Sequence, residues 1–399
     1  MPRRPRILVT ARDTHPAFRV DITRLFHDGL AAEYDFDWLM RDEAGGASRT
    51  DPQGRGTVHV MGRGLPAQIR GHLGALGRVL AGRYDAVQCR DTFLVAWAYA
   101  LAARARGRPF VYWMSYPMEE GYLHRARDSF RSRKIAAGLV RGAIGLAGRA
   151  SLFGLALPLA RHIFVQSEQM KRDITRRRIP AARITAVPMG VDCDRFTPDS
   201  LAPARDPAYA ERKLVLYTGT LDASRRMEVP AEGVARFCAA NPAWVFALIG
   251  KSTEAERATV LAPFEARGLA DRVIFQPFMA LETMLTHVRR ADICLAPYPA
   301  DIPMLASATP TKLVEYAAMG RRVVANHHPD QDVVAKGTGL AEMCDFTAPG
   351  FAAALARAAQ AGPPSAAEQA RAGTWVRDAR SYARLTALVA ADYAALLQP

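Results

Sequence analysis

Lys312 and Glu315 stand three residues apart in the stretch ATPTKLVEYAAMGRRVVAN, Ala308 to Asn326, a spacing that puts an ammonium and a carboxylate on one side of a helix. Thr309 can cap such a helix, Pro310 suits its first position, and Gly320 can take the left-handed conformation that ends it about three turns later. The first turn of a helix exposes unpaired N–H groups at the positive end of its dipole, where a carboxylate is preferred, yet the charge found there is Lys312. A cation in that place predicts an anion between the two. The pair can offer a donor to a phosphate and an acceptor to a polyhydroxylated group. A second basic cluster follows the apolar run LVLYT: Gly219 stands where backbone can approach a phosphate, and Arg225 and Arg226 come after it, able to neutralise a diphosphate.

Such residues need a frame that brings them together. Short runs rich in Val, Ile, Phe and Tyr recur with helical stretches between them: RILVT, YDAVQC, RPFVYW and HIFVQS, then KLVLYTG, WVFALIG, RVIFQPF, ADICLAP and RRVVAN. Strands alternating with helices predict parallel α/β structure, here twice, and ligands of open α/β sheets bind at the carboxyl ends of strands. At 399 residues the chain is too long for one ordinary core. Pro, Asp and Gly crowd before a new strand at Leu214, which places a linker at 196–212 and domains at 1–205 and 206–380.

Five scattered cysteines, Cys89, Cys193, Cys238, Cys294 and Cys344, have no metal-like spacing and imply a reducing compartment. MPRRPRILVT lacks the apolar core of a signal peptide, so a cytoplasmic location is expected. Net charge is +14, of which the first 200 residues hold +13 (32 basic against 19 acidic side chains). That asymmetry predicts an anionic surface or substrate for the first half. Arg125 to Leu159 reads as a basic amphipathic helix: Arg127, Arg131, Lys134, Arg141 and Arg149 fall within about 80°, with Leu139, Ala143, Leu146, Ala147 and Ala150 opposite. Arg141 and Arg149 leave it short of a bilayer span, so it is expected to lie on the cytoplasmic face of a membrane or to pack on the sheet as a surface helix.

Taken in order, these segments resemble the retaining, nucleotide-sugar-dependent glycosyltransferases of the GT-B fold, family four (glycosyl transferases group 1), over nearly the whole chain. HIFVQSEQMKRDITRRRIPAARITAVPMGVDCDRFTPD resembles the family's lead into its second domain, with Met189 where Asn is usual. YTGTLDASRR resembles its phosphate segment, with Thr220 at the usual Arg and Arg225 at the usual Lys; VIFQPFMALETMLTHVRRADICLAP resembles its Ala-Asp-x-x-Leu-x-Pro stretch; HHPDQDVVAKGTGLA resembles a His-Pro-x-Gln subgroup. The opening stretch resembles the second half of the Glu-x7-Glu motif, but Ser307 stands where the first Glu belongs. The resemblance implies two Rossmann-like domains and a C-terminal helix, 381–399, returning to the first. It assigns Glu315 to the donor ribose, Arg225 with Thr309 to Thr311 to the diphosphate, and Lys312 to charge on the leaving group, with Gly219, Thr220, Arg226, Phe278 and Ser307 also on the donor side.

On the acceptor side it implies Asp13, His15 and Arg19 after the first strand, Arg90 facing the cleft from a strand end, and Ser115, Glu119 and Glu120 after the next. No general base is named, because a donor phosphate oxygen is thought to take the acceptor proton in this fold. Asp35-Phe36-Asp37 and Asp192-Cys193-Asp194 spell the Asp-x-Asp of metal-dependent enzymes of another fold, but neither lies in the strand-end pocket; no metal or other cofactor is expected. The expected reaction moves a sugar from a UDP- or GDP-sugar to a lipid-linked glycan in polysaccharide or glycoconjugate biosynthesis. A degenerate GT-B subunit that binds nucleotide sugar or a partner enzyme, and a nucleotide-sugar epimerase, are the alternatives. Nucleic acid is not an expected partner, since the basic half lacks interleaved aromatics.

Overall fold

The computed structural model describes residues 3–398 apart from 18, 199, 200 and 222. It divides into two compact units, one holding the chain up to Pro188 together with the helix Tyr382–Leu397, the other holding Met189–Ser381. The division precedes the Pro-rich 196–212 stretch, of which Asp199 and Ser200 lie outside the described residues. Residues before that stretch are already bound into the second unit: Val191 N–H donates to the Arg380 carbonyl at 2.8 Å.

The first unit is built on eight strands: β1 (Arg6–His15), β2 (Asp35–Asp42), β3 (Arg49–Gln53), β4 (Gly56–Met61), β5 (Ala86–Arg90), β6 (Phe110–Met114), β7 (His162–Val165) and β8 (Ile184–Ala186). They lie in the order β3-β4-β2-β1-β5-β6-β7-β8, all parallel except the β3–β4 pair. Every residue of β5, β6 and β7 is buried, as the unbroken apolar runs predict for a sheet covered on both faces. On one face Tyr382, Leu385, Val389 and Tyr393 of the C-terminal helix join Phe26, Trp38 and Trp113, and the Tyr393 hydroxyl meets Gln88 Oε1 at 2.6 Å. β1 runs on through Asp13 to His15 after a register shift at Thr10/Thr14, so Asp13 and His15, expected after the first strand, lie within it, and Arg19 follows it.

The other face carries α1 (Leu65–Leu80), α2 (Ala96–Ala105), α3 (Met118–Arg131) and α4 (Ile135–Ser151). The single basic helix expected over 125–159 is therefore two. The chain turns between α3 and α4, where Arg133 takes φ +56° and Lys134 N–H closes on the Ser129 carbonyl at 2.8 Å. α4 packs on the protein through its basic, glycine-bearing side, the reverse of what a surface helix with a solvated basic face would give. A Cβ on Gly138 would lie 2.6 Å from Phe130, one on Gly145 2.8 Å from Leu123, and one on Gly148 2.2 Å from Phe93. The glycines thus let α4 approach its neighbours closely, while Leu139 and Leu146 are turned outward. Leu152–Ala156 and Leu157–Leu159 extend α4, and the 25 residues of Ile135–Leu159 are long and apolar enough by length and composition to cross a membrane, which corrects the shorter reading.

The second unit is a six-stranded, wholly parallel sheet of β9 (Lys213–Thr218), β10 (Trp244–Ile249), β11 (Val273–Gln276), β12 (Ile293–Ala296), β13 (Arg322–Asn326) and β14 (Ala341–Cys344), ordered β11-β10-β9-β12-β13-β14. The order reverses between β9 and β12, and at such a switch point successive connections leave a crevice at the strand carboxyl ends. Each half of this double-wound plan is an α/β layer around its own sheet, and all five cysteines are free thiols.

Candidate functional site

At the end of β9, Gly219 has φ +149°, and at the end of β10 Gly250 has φ +153°. A Cβ on Gly250 would sit 2.1 Å from the Gly219 carbonyl oxygen, so the two strand ends touch backbone to backbone. Leu221 N–H donates to the Lys251 carbonyl at 3.1 Å, and Thr220 accepts from the Tyr217 hydroxyl at 3.2 Å, tying the loop that carries the arginines to the sheet. The Arg225 guanidinium lies 4.5 Å from the ring centroid of Tyr298, just past β12. Arg226, at φ +50°, binds Asp301 at 2.6 Å and lies over Phe346, which holds it apart from Arg225. Phe278, past β11, is 70% exposed with Lys251 5.1 Å above its ring.

Tyr298 is fixed by two residues given no site role from the sequence: Asn326, and His328 of the segment resembling the His-Pro-x-Gln subgroup, whose ring lies 5.2 Å from that of Tyr298. Asn326, fully buried at the end of β13, accepts from Tyr298 N–H at 2.7 Å and donates to its carbonyl at 2.8 Å. His328 accepts from Asp330 N–H at 3.1 Å through Nδ1, which makes Nε2 the donor to the Leu305 carbonyl at 3.0 Å, and burial lowers its pKa and keeps it neutral. A strand-terminal Asn followed by two His and a Pro was the available signal, but its partners lie more than twenty residues away.

The helix of the opening stretch is Thr311–Ala318, two turns rather than three, and Gly320 ends it at φ +64°. Thr309 does not cap it. Pro310 occupies the cap position with no side-chain bond, and the Thr309 hydroxyl instead accepts from Met189 N–H at 3.1 Å, because the entering 189–191 segment has its own backbone donor to satisfy. Thr311 opens the first turn. Lys312 Nζ and Glu315 Oε2 meet at 3.0 Å, both partly exposed, as their spacing predicts. Tyr316 lies on the buried side, and its hydroxyl accepts from Thr218 N–H and meets Thr218 Oγ1, each at 2.9 Å, which anchors the helix to the end of β9. Ser307 and Thr309 are buried beside that start. Gly219, Thr220, Arg225, Arg226, Phe278, Ser307, Thr309, Thr311, Lys312 and Glu315 thus all belong to the carboxyl-end side of one sheet.

In the first unit Arg90 is fully buried rather than exposed at the end of its strand. Its Nε binds Asp13 at 3.2 Å and its Nη2 binds Asp21, which Arg19 also holds at 3.0 Å. Burial opposes the charge on Asp21, but Arg90 and Arg19 outweigh it and hold its pKa at about 2. Asp13, Arg19 and Arg90 are therefore one ion-paired network completed by Asp21, which sequence reasoning missed. His15 lies apart, against Asp51 at 3.4 Å. Ser115 N–H donates to Asp91 at 2.8 Å, and Glu119, in the first turn of α3, is buried and pushed up to about 7 by that burial. Glu120 pairs instead with Arg177. Of the two Asp-x-Asp stretches, Asp37 is taken up by Arg6, Thr57 and Tyr84, and among the described residues no three His, Cys, Asp or Glu come together as a metal site would need.

Two family models match along the sequence. Residues 19–190 match the glycosyl transferase 4-like domain and residues 212–361 match glycosyl transferases group 1. The chain belongs to the group 1 glycosyltransferases. A curated relative, D-inositol 3-phosphate glycosyltransferase of Geodermatophilus obscurus, is 35% identical over 126 residues, a match spanning 29% of this chain and 28% of that protein. This group 1 glycosyltransferase shares its GT-B fold with Anabaena HepE in complex with UDP (TM-score 0.68, 14% identity, 98% of this chain and 100% of that one). Sucrose-phosphate synthase of Thermosynechococcus elongatus (0.67, 17%, 99% of each chain) and a Rickettsia africae glycosyltransferase (0.69, 12%, 100% of each) are similarly alike.

Proposed function

We propose that this chain transfers a sugar from a nucleoside diphosphate sugar, UDP-linked in the first instance, to a lipid-linked glycan acceptor with retention of anomeric configuration. The observation that carries the reading is the convergence of a stacked arginine, a glycine strand end and a helix start with Lys312 and Glu315 at one switch point. Cleavage of the sugar–phosphate bond leaves growing negative charge on the diphosphate oxygen. Arg225, held over the Tyr298 ring, and the N–H groups opening Thr311–Ala318 are suited to stabilise that charge. Lys312 adds a positive charge when the diphosphate enters, and Glu315, released from it, accepts from the ribose hydroxyls. Retention follows if the acceptor hydroxyl attacks on the leaving-group side and gives its proton to a donor phosphate oxygen, a route that needs no protein base. UDP is the nucleotide of choice because the HepE structures hold UDP and UDP-glucose.

One observation favours a second reading, a subunit that binds the donor without turning it over. Ser307 is buried at the position where the family motif carries its first carboxylate. Release of UDP from a UDP-sugar, with and without an extracted lipid-linked acceptor, separates the two. Acceptor-dependent release with an α-linked product from an α-linked donor supports transfer with retention; donor binding without release supports the second reading; an inverted product overturns retention.

A further inference from the structure

Sixteen large hydrophobic side chains are exposed among the described residues, and thirteen of them belong to one helical layer of the first unit. That concentration is not what scattered surface leucines give. Along α1, Leu65, Ile69 and Leu73 point outward at one-turn intervals while Ala75 and Val79 pack on the sheet. On α2, Trp97 and Leu101 are outward and Tyr99 and Ala103 inward. On α4 the outward arc holds Leu139, Val140 and Leu146, each about three-fifths exposed, and neither of the helix's two arginines falls on it at 100° per residue. By the same angle Arg141 falls among the glycines on the packed side, donating to Ser129 Oγ at 2.6 Å.

Charge decides what covers this face. Gly62–Ser167, which contains α1 to α4, holds sixteen Lys and Arg against five acidic residues, Asp85, Asp91, Glu119, Glu120 and Asp128, of which Asp91 and Glu119 are buried. An apolar face rimmed mainly by positive charge complements an anionic bilayer, and it opposes a second copy of itself, whose like charges would be brought together. We propose that the outward face of α1, α2 and α4 docks on an anionic lipid surface, with Leu73, Trp97, Leu139 and Leu146 entering the acyl boundary and the surrounding arginines meeting the headgroups. α4 lies on the bilayer without crossing it, because its glycine side is packed against Phe130, Leu123 and Phe93 of the same unit. This goes beyond the donor-site reading and does not depend on it.

The test is flotation of the full chain with vesicles of phosphatidylcholine alone or mixed with phosphatidylglycerol. Binding is expected to the mixed vesicles, weakening as salt rises, and on the order of tenfold weaker for each of Leu73→Gln and Leu139→Gln. Both side chains are exposed, so unchanged melting temperatures are expected to accompany the loss. In the unaltered chain, brominated lipid quenches a fluorescence component that disappears in Trp97→Phe, and alkaline carbonate releases the protein. No flotation with anionic vesicles, equal flotation of the glutamine variants, or no Trp97 quenching overturns the proposal. Resistance to carbonate overturns it in favour of a spanning helix, and self-association abolished by the same variants without lipid binding overturns it in favour of a second copy.

Discussion

Replacing Arg225 by alanine removes a guanidinium that the structure holds 4.5 Å over the Tyr298 ring, in a loop braced by Gly219, Gly250 and the Leu221–Lys251 hydrogen bond. Its value to the reaction is greatest where charge is greatest, on the departing diphosphate, so the loss falls on kcat more than on donor binding. One preorganised donor to a developing anion is worth about 2–4 kcal/mol, or roughly 30- to 1,000-fold in rate. Two companions separate charge from placement. Arg225→Lys keeps the charge but loses the planar fork and the stack, and is expected to recover only part of the rate. Tyr298→Leu keeps Arg225 and removes a partly exposed cation–π contact of about 0.5–1 kcal/mol, a two- to fivefold effect. Initial rates of UDP release, with donor binding measured by calorimetry, give both quantities. If Arg225→Ala keeps kcat within about threefold of the unaltered chain, or if Tyr298→Leu costs as much as Arg225→Ala, the stacked arginine is not the leaving-group stabiliser.

Further expectations follow from single contacts. Glu315→Ala leaves the ribose without its acceptor and weakens UDP binding by about 1–3 kcal/mol, read by calorimetry; unchanged affinity in a folded variant removes the ribose assignment. Tyr316→Phe orphans the buried Thr218 N–H and lowers unfolding stability by about 1–3 kcal/mol in urea titration, and an unchanged midpoint contradicts the anchor. Glu119, raised to about 7 from 4.5, keeps its full contribution below the unfolded pKa near 4.5 and loses stability as pH climbs to about 7. Glu119→Gln should therefore match the unaltered chain at acid pH and exceed its stability by up to about 3 kcal/mol at pH 8, whereas a pH-independent difference refutes the buried neutral carboxyl.

The strands that position the donor side were readable because parallel strands buried on both faces appear as unbroken Val, Ile and Phe runs; β9, β10, β12 and β13 all come from such runs. β3 and β8 were not, since RTDPQ is an exposed edge and ITA spans three residues. Lys312 and Glu315 were readable because their partnership is local, set by helical spacing. Tyr298 with Asn326, and Arg90 with Asp21, are partnerships across long stretches of chain, where one sequence gives no sign of which buried polar group meets which. The burial of Arg90 is stable only because Asp13 and Asp21 surround it. For α4, amphipathicity left the leucines either on the sheet or turned to a membrane, and close backbone approach at Gly138, Gly145 and Gly148 decides the orientation. A residue without a side chain carries no weight in a hydrophobic pattern.

A nucleoside diphosphate sugar bound at the carboxyl-end site of the second unit would stabilise the folded chain. Thermal unfolding of the full chain with UDP-glucose, beside Arg225→Ala and Glu315→Ala, tests it most directly. At about 100 times the dissociation constant a specific ligand adds roughly 2.7 kcal/mol of stability, so a concentration-dependent rise in melting temperature is predicted for the unaltered chain and a much smaller one for Glu315→Ala. No shift with UDP-, GDP-, ADP- or dTDP-sugars, or equal shifts in all three proteins, would contradict it.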